Sequence, residues 1–201
     1  MECKVISQRI GRSALKPNIR KIAESILFLI EEATSRGTYV TKYDIVKSIF
    51  VADGQHLNTY GRPVTFDNYA AMKDGPVPSE TYNMLGEDYD NAHEFGREWP
   101  LWQKEPSPDD GKLAMKYVRP RRSANLRALS ETDRSALREA LLLVKAQGFV
   151  GTRDMTHEHP AYLEAWVVDG PKKSYPMAYE LMLACPDDET LLDVVHASHY
   201  A

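Results

Sequence analysis

Aliphatic side chains recur at helical spacing near the start of the chain. They lie three or four residues apart, and the stripe consists of Ile19, Ile22, Ala23, Ile26, Leu27 and Ile30. Pro17 suits the first turn of a helix, and Gly37 suits the position just after the last turn. We therefore predict a helix over 17–36 that buries its apolar face in the core.

A second helix is predicted from Thr41 to about Tyr60. Thr41 and Asp44 have the spacing of a capping box, in which the threonine hydroxyl and the acidic side chain satisfy free N–H groups of the first turn. Gly61 can end this helix because a residue without Cβ adopts the left-handed conformation at little cost. Pro63 then prevents the helix from continuing.

The middle of the chain is rich in turn residues. We expect a short helix over 67–73, then a rigid extended turn at Gly75-Pro-Val-Pro78, because each proline restricts the backbone on both sides. Another helix should run from Pro78 through Leu85. Acidic residues and prolines interrupt any periodicity over 86–111, which predicts a long insertion between two helical halves.

Alternation returns in the second half of the chain. Residues 112–118 alternate apolar and polar side chains, which predicts a strand, and residues 124–128 are its expected partner in a hairpin. Ser130 and Asp133 form a second capping-box pattern, and Gly148 marks the expected end of the helix that follows.

Three shorter helices should complete the chain: one leading to His157, one from Pro160 through Trp166, and one from Asp187 to about Ala197. These elements predict a mainly α fold, a compact helical domain with a small β-hairpin. A single domain over 1–201 is expected, with a variable C-terminal tail at 170–201.

Composition narrows the class of protein. The chain has 201 residues and a formal net charge of -4, which argues against a protein that mainly wraps the nucleic-acid backbone. Cys3 and Cys185 are too few for a disulfide framework and favour a reducing compartment, although the two could form a single bridge. The strongest apolar run, over 26–30, is too short to cross a bilayer, so we predict a cytoplasmic protein without a membrane partner.

One cluster of polar residues could suggest acid–base chemistry. Asp53, His56 and Tyr60 fall near one face of the second helix, and Lys73 follows soon after. A nucleophile and an oxyanion site are missing, so these groups are expected to tie the helix to the next turn or to face a partner. The pair of His157 and His159 lacks the spacing of a metal site. We predict neither enzymatic activity nor a bound cofactor or metal.

Three surfaces could meet a partner. Trp99 and Trp102, within the acidic insertion, could anchor on a basic partner surface. Alanine at both positions would then weaken binding without unfolding the domain. Alternatively, the two indoles fold back onto the core. The rigid turn at 75–78 could form a corner between helices or present Lys73 and Tyr82. A basic concentration could contact DNA, an acidic partner or only solvent; it consists of Arg119, Arg121, Arg122 and Arg127.

Two short motifs resemble a known family. Tyr60-Gly-Arg-Pro63 followed by Ala71-Met-Lys-Asp-Gly-Pro-Val-Pro78 resembles the hallmark of the Panacea domain, also called the phage-associated or SocA-type domain. A weaker resemblance lies in Leu129-Ser-Glu-Thr-Asp133 and in the Thr-His pair at 156–157. Together these motifs cover roughly residues 42–166. The resemblance gives a structural role to Gly61, Pro63, Met72, Gly75, Pro76, Pro78 and His157.

The resemblance implies an antitoxin that neutralises a toxin encoded by a neighbouring gene through direct protein–protein binding. The first alternative is a transcriptional regulator that would contact DNA through the segment 119–127. A second is an adaptor that delivers its partner to a protease. Toxin specificity would then reside in the insertion at 86–111 and in the tail at 170–201.

Overall fold

The computed structural model describes residues 15–86, 89–107, 115–185 and 188–200, and the fold is mainly α with two small antiparallel sheets. The α-helices are α1 Ile19–Ser35, α2 Lys42–Tyr60, α3 Ser79–Met84, α4 Glu131–His157, α5 Pro160–Ala165 and α6 Asp188–Tyr200. The strands are β1 Val40–Thr41, β2 Tyr69–Met72, β3 Gly75–Pro78, β4 Trp102–Pro106, β5 Met115–Pro120 and β6 Ser174–Pro176. Short 3₁₀ segments lie at Asp90–Glu98 and Tyr179–Met182.

Local capping signals determine where α1 and α2 begin and end. The Asn18 side chain accepts the N–H of Lys21 at 2.9 Å and so caps α1. Thr41 and Asp44 form the expected reciprocal capping box on α2, and Gly61 ends that helix in the left-handed conformation with φ of +72°. The two predicted N-terminal helices are therefore confirmed.

The predicted helix over 67–73 is wrong. This segment contains strand β2, which pairs with β3 on one side and with β6 on the other, in the order β3-β2-β6. Pairing of Ala70 with Val77 and of Ala71 with Tyr175 gives the backbone its ladder partners, and these long-range contacts override a local composition that favours helix. Prolines are tolerated in β3 because it is an edge strand of this sheet.

The predicted strand near 112–118 is confirmed over its described part, since β5 begins at Met115 and residues 112–114 lie outside the described residues. Its predicted partner, 124–128, is wrong: β5 pairs with β4 and β1, in the order β1-β5-β4. The chain turns away after β5, and the backbone N–H of Asn125 donates to Glu24 of α1 at 2.7 Å. Residues 124–128 are thereby held against α1 rather than in a ladder.

Residues of the segment 86–111 take part in the core. Its strand β4 forms the edge of the sheet β1-β5-β4, and Tyr89, Leu101 and Trp102 are buried among residues of α1 and α2. That this segment is an insertion stays a prediction.

Helix α4 is interrupted at the expected place. Gly148 has a φ of +62° and separates two helical segments, the second of which ends at His157 as predicted. His159 caps α5 by accepting the N–H of Ala161, and Pro160 occupies its first turn. The predicted start of α6 at Asp187 lies outside the described residues.

Helix α2 lies between two hydrophobic clusters and contributes to both. Ile45 and Ile49 belong to the cluster that contains α1, β5 and the first part of α4. Phe50 and Leu57 belong to the cluster that contains β2, α5 and α6. Burial on both sides fixes the orientation of α2 and of the side chains it carries. Within the described ranges, no helix is both long and apolar enough to cross a membrane.

Candidate functional site

Asp53 joins α2 to the chain that follows it. Its side chain is fully buried and accepts hydrogen bonds from the backbone N–H groups of Val64 and Thr65 at 2.9 and 3.0 Å and from the Tyr69 hydroxyl at 2.7 Å. Burial raises the pKa of Asp53, and these donors act against that rise by favouring the carboxylate. Asp53 therefore holds the turn and β2 against α2, and it cannot contact a partner protein.

His56 is also buried and joins a second polar network. Its Nδ1 lies 2.7 Å from the carbonyl oxygen of Arg62, and because a carbonyl only accepts, Nδ1 carries the proton. Its Nε2 lies 3.0 Å from the Thr132 hydroxyl and 3.2 Å from Asp133. Burial lowers the pKa of His56, which favours the neutral ring. This histidine also serves the fold rather than an exposed surface.

Asp133 is the centre of that network. It forms ion pairs with Lys21 of α1 at 2.8 Å and with Arg62 of the turn after α2 at 3.0 Å. Burial acts to raise the pKa of Asp133, but Lys21 and Arg62 outweigh it and hold the pKa below its ordinary value. Asp133 thus links residues of α1, α2 and α4 at one point. The sequence indicated only its role in the cap of α4.

Asp67 was not identified from the sequence. It is fully buried and accepts the N–H groups of Glu80 and Thr81 and the Thr81 hydroxyl, at 2.8–2.9 Å, at the start of α3. Burial raises the pKa of Asp67 to about 7 despite these donors. Its partners lie 13 and 14 residues away, so no local spacing indicates the contact.

The hairpin formed by β2 and β3 rests on α2 and α4. Gly75 has a φ of +101°, and a Cβ atom there would lie 2.5 Å from Lys47 Nζ and 2.8 Å from the Thr156 hydroxyl. The carbonyl oxygen of Pro76 accepts a hydrogen bond from Lys47 Nζ at 2.9 Å. Glycine is needed at this position because both the backbone conformation and the close approach exclude a side chain.

The far side of the hairpin is fixed by α5. The Tyr162 hydroxyl donates to the carbonyl oxygen of Met72 at 3.0 Å, and the ring of His157 stacks on Tyr162 with centroids 4.4 Å apart. Pro63 and Pro78, two further motif residues, are both buried. The motif residues thus build a corner between helices, and the turn at Lys73 and Asp74 is left exposed.

A groove of about 790 Å³ lies beside this corner, and we call it the hairpin groove. Its lining comes from the start of α2, the hairpin, Tyr82 and the loop 166–173. Lys73 and Tyr82, two of the predicted partner-binding residues, both line it. Lys42 lies over the Tyr82 ring at 3.3 Å from the centroid, and burial lowers the pKa of Lys42 to about 8.

Lys47 lines the same groove and was missed in the sequence. Its side chain is 1% exposed, and burial lowers its pKa to about 7. A signal was present: Lys47 is the one charged residue in the run from Ile45 to Phe50, which is otherwise apolar apart from Ser48. A cation inside an apolar stretch of a buried helix needs a reason, because burying a charge is costly.

The remaining predicted partner residues lie elsewhere. Tyr60 is 55% exposed and packs against the His56 ring, away from the residues that line the hairpin groove. Trp102 is only 3% exposed and packs against Tyr117 and Trp99 in the core. Of the two interpretations of the tryptophans, the structure therefore places Trp102 on the domain's own core, and its indole is too buried to anchor a partner.

The basic segment around β5 is divided between structure and solvent. Arg122 forms ion pairs with Glu24 at 2.6 Å and with Glu98 at 3.0 Å, which occupy its guanidinium. Arg119, Arg121 and Arg127 are exposed. An arginine used to hold α1 against the segment 90–98 is not available for a phosphate backbone, which reduces the support for DNA contact here.

Comparison with known families matches residues 45–162 to the family described as "Antitoxin SocA-like, Panacea domain". The match covers more than half of the 201 residues. It includes the Asp53 network and the hairpin and ends at Tyr162, whereas the loop 166–173 of the hairpin groove lies beyond it. No curated protein and no solved structure gave a significant match.

Proposed function

The chain belongs to the SocA-like antitoxin family with a Panacea domain, and on this premise we propose that it neutralises a cognate toxin by direct protein–protein binding. One observation carries the proposal. The polar side chains of Asp53 and His56 are fully engaged in contacts within the fold, while the hairpin that Asp53 helps to hold against α2 borders an open groove. This arrangement supports recognition of a partner more than chemistry on a substrate.

A rigid corner is a suitable support for such binding. The hairpin is held from below by Lys47 and from the side by Tyr162, so little conformational freedom remains to be lost when a partner binds. Lys73 at its tip and Tyr82 beside it are exposed and lie near enough to share one groove. An aromatic side chain on a fixed support is a typical component of a protein interface, and a charged side chain beside it contributes to selection of the partner.

The proposal is tested by expressing the neighbouring gene alone and together with this chain. Growth arrest by the neighbour that this chain relieves, with both proteins recovered as one complex, is the expected result. A chain carrying Trp102→Ala serves as a folding control. This change should disturb the core and so reduce relief of growth arrest through loss of folded protein. A harmless neighbour, or arrest that persists beside abundant folded chain, would contradict the proposal.

The same cultures separate neutralisation by binding from delivery to a protease. Toxin that stays at a constant level while growth recovers supports direct neutralisation, since the complex itself blocks activity. Toxin that disappears when the chain is present would instead support the adaptor mode. The level of the neighbouring gene's product should therefore be followed by immunoblot beside the growth curve.

A further inference from the structure

We propose that the hairpin groove binds an acidic and partly apolar segment of the toxin, with the carboxylates of that segment held by its exposed lysines, Lys73, Lys172 and Lys173, above the buried charge of Lys47. This inference rests on the proposed function and assigns to it a surface and a partner chemistry. Three independent features of the groove support it: its charge, the lack of an ion-pair partner for Lys47 among the described residues, and its exposed aliphatic side chains.

The charge of the groove is opposite to that of the chain. Its lining carries an excess of cations over acids: five lysines, Lys42, Lys47, Lys73, Lys172 and Lys173, and two acidic residues, Asp74 and Asp169. The whole chain has a formal net charge of -4, so the groove is a local cationic surface on an acidic protein. Such a surface favours an acidic partner and disfavours basic ones.

Among the described residues, Lys47 lacks a counter-charge. Its ammonium has one hydrogen-bond acceptor there, the Pro76 carbonyl oxygen, and lies 5.4 Å from the centroid of the Tyr43 ring, although an ammonium can donate three hydrogen bonds. No carboxylate of the described residues forms an ion pair with it. Asp74 acts to raise the pKa of Lys47, but burial lowers it by more. Carboxylates of a partner bound at the exposed lysines would offset part of this buried charge through space, without touching the ammonium.

The aliphatic lining favours a protein segment over a nucleic acid. Val167 and Val168 are 49% and 75% exposed, and Met72, Val77 and Trp166 also line the groove. Apolar side chains of a toxin segment can cover these residues, whereas a phosphate backbone cannot. The volume of about 790 Å³ accommodates several side chains of an extended segment.

The position of the groove fits selective recognition. The hairpin and the start of α3 belong to the region matched to the family, whereas Trp166 to Lys173 lie beyond that region. The loop therefore adds two further lysines and two exposed valines to a groove whose other walls include the hairpin and the start of α3, which lie within the matched region. This loop overlaps the tail that the sequence indicated as the place of specificity.

The first test compares two pairs of charge reversals in binding of the full chain to the purified product of the neighbouring gene. Lys73→Glu with Lys172→Glu alters the groove, and Arg121→Glu with Arg127→Glu makes the same change in net charge at exposed positions outside it. The groove pair should weaken affinity by at least ~10-fold and the control pair by less than ~3-fold, since only the former opposes the partner's acidic residues.

The second test uses Lys47→Met, which keeps the length of the side chain and removes its charge. Affinity for the neighbouring gene's product should fall, while the melting temperature should change little, because removal of the buried charge offsets loss of the hydrogen bond to the Pro76 carbonyl. A lowered melting temperature with unchanged affinity would show that Lys47 serves only the hairpin, and would overturn its part in the inference.

The outcomes distinguish failure of the inference from failure of the proposed function. If both double variants bind the product as well as the wild-type chain does, or if both lose affinity equally, the groove is not the binding surface and the proposed neutralisation is unaffected. Wild-type chain that does not bind the product at all overturns both. Binding of duplex DNA that the groove pair abolishes would assign the groove to nucleic acid and also overturn the inference.

Discussion

At the scale of the residue, Gly75 is a position where both the backbone conformation and the neighbouring atoms disfavour any side chain. Replacement by alanine would force a side chain into a backbone with φ of +101° and place its Cβ 2.8 Å from the Thr156 hydroxyl. The Lys47 ammonium can shift, but the short Thr156 side chain is held by the carbonyl of Thr152. We expect Gly75→Ala to lower the free energy of unfolding by about 2 to 4 kcal/mol in urea denaturation.

The control for this prediction is Gly37→Ala. Gly37 has a φ of +69°, but no atom of the described residues lies within 4 Å of the Cβ that alanine would add. Its cost should be the conformational term alone, about 1 to 2 kcal/mol. Equal losses for the two variants would mean that the close approach of Gly75 to Lys47 and Thr156 contributes nothing to stability.

At the scale of the element, Trp102 at the start of β4 holds the segment 90–106 on the core. Its indole is 3% exposed and lies with its ring centroid 6.3 Å from that of Tyr117 on β5. Trp102→Ala should cost about 3 to 5 kcal/mol of unfolding free energy, because a large cavity would remain. Half-buried Trp99, replaced in the same way, should cost roughly half as much or less. A stable Trp102→Ala protein with weakened toxin binding would instead restore the interpretation of this indole as a partner anchor.

At the scale of the whole molecule, the sequence predicted what local chemistry controls. The reciprocal caps at Thr41 and Ser130 and the stop at Gly61 fix helix ends through neighbours within a few residues, so they can be read from spacing. Strand partners could not be assigned in this way. β2 pairs with β6, which lies about a hundred residues further along the chain, and the pairing that overrode the predicted helix has no local signal.

The candidate site shows the same division. Motif residues such as Gly75 and Pro76 were identified because their backbone restrictions are visible in the sequence. The groove beside them was not, because its walls come from the start of α2 and from the loop 166–173, which only the tertiary fold brings together. For Asp53 and His56 the sequence left two alternatives, a tie to the next turn or contact with a partner, and packing turned their face inward so that both bind the turn after α2.

The buried charge of Lys47 makes the stability of the whole molecule depend on pH. Burial lowers the pKa of Lys47 from 10.5 to about 7, with Asp74 of the hairpin turn opposing the shift and His157 of α4 facing the same ammonium. Between about pH 7 and pH 10.5, Lys47 therefore carries a proton in the unfolded chain that it lacks in the folded chain. Stability should therefore rise with pH across this window, by up to ~1.4 kcal/mol per unit from this group.

Lys47→Met should flatten that rise, as measured by urea denaturation at several values between about pH 7 and about pH 10. Part of the slope will remain, because burial also lowers the pKa of Lys42 to about 8 and this residue is unchanged in the variant. Lys73→Met, which removes an exposed ammonium from the same groove, is the matched control and should keep the wild-type slope. A Lys47→Met protein with the full wild-type slope would show that this ammonium is solvated or paired in the free chain. The groove would then contain no uncompensated buried charge to attract the carboxylates of a toxin.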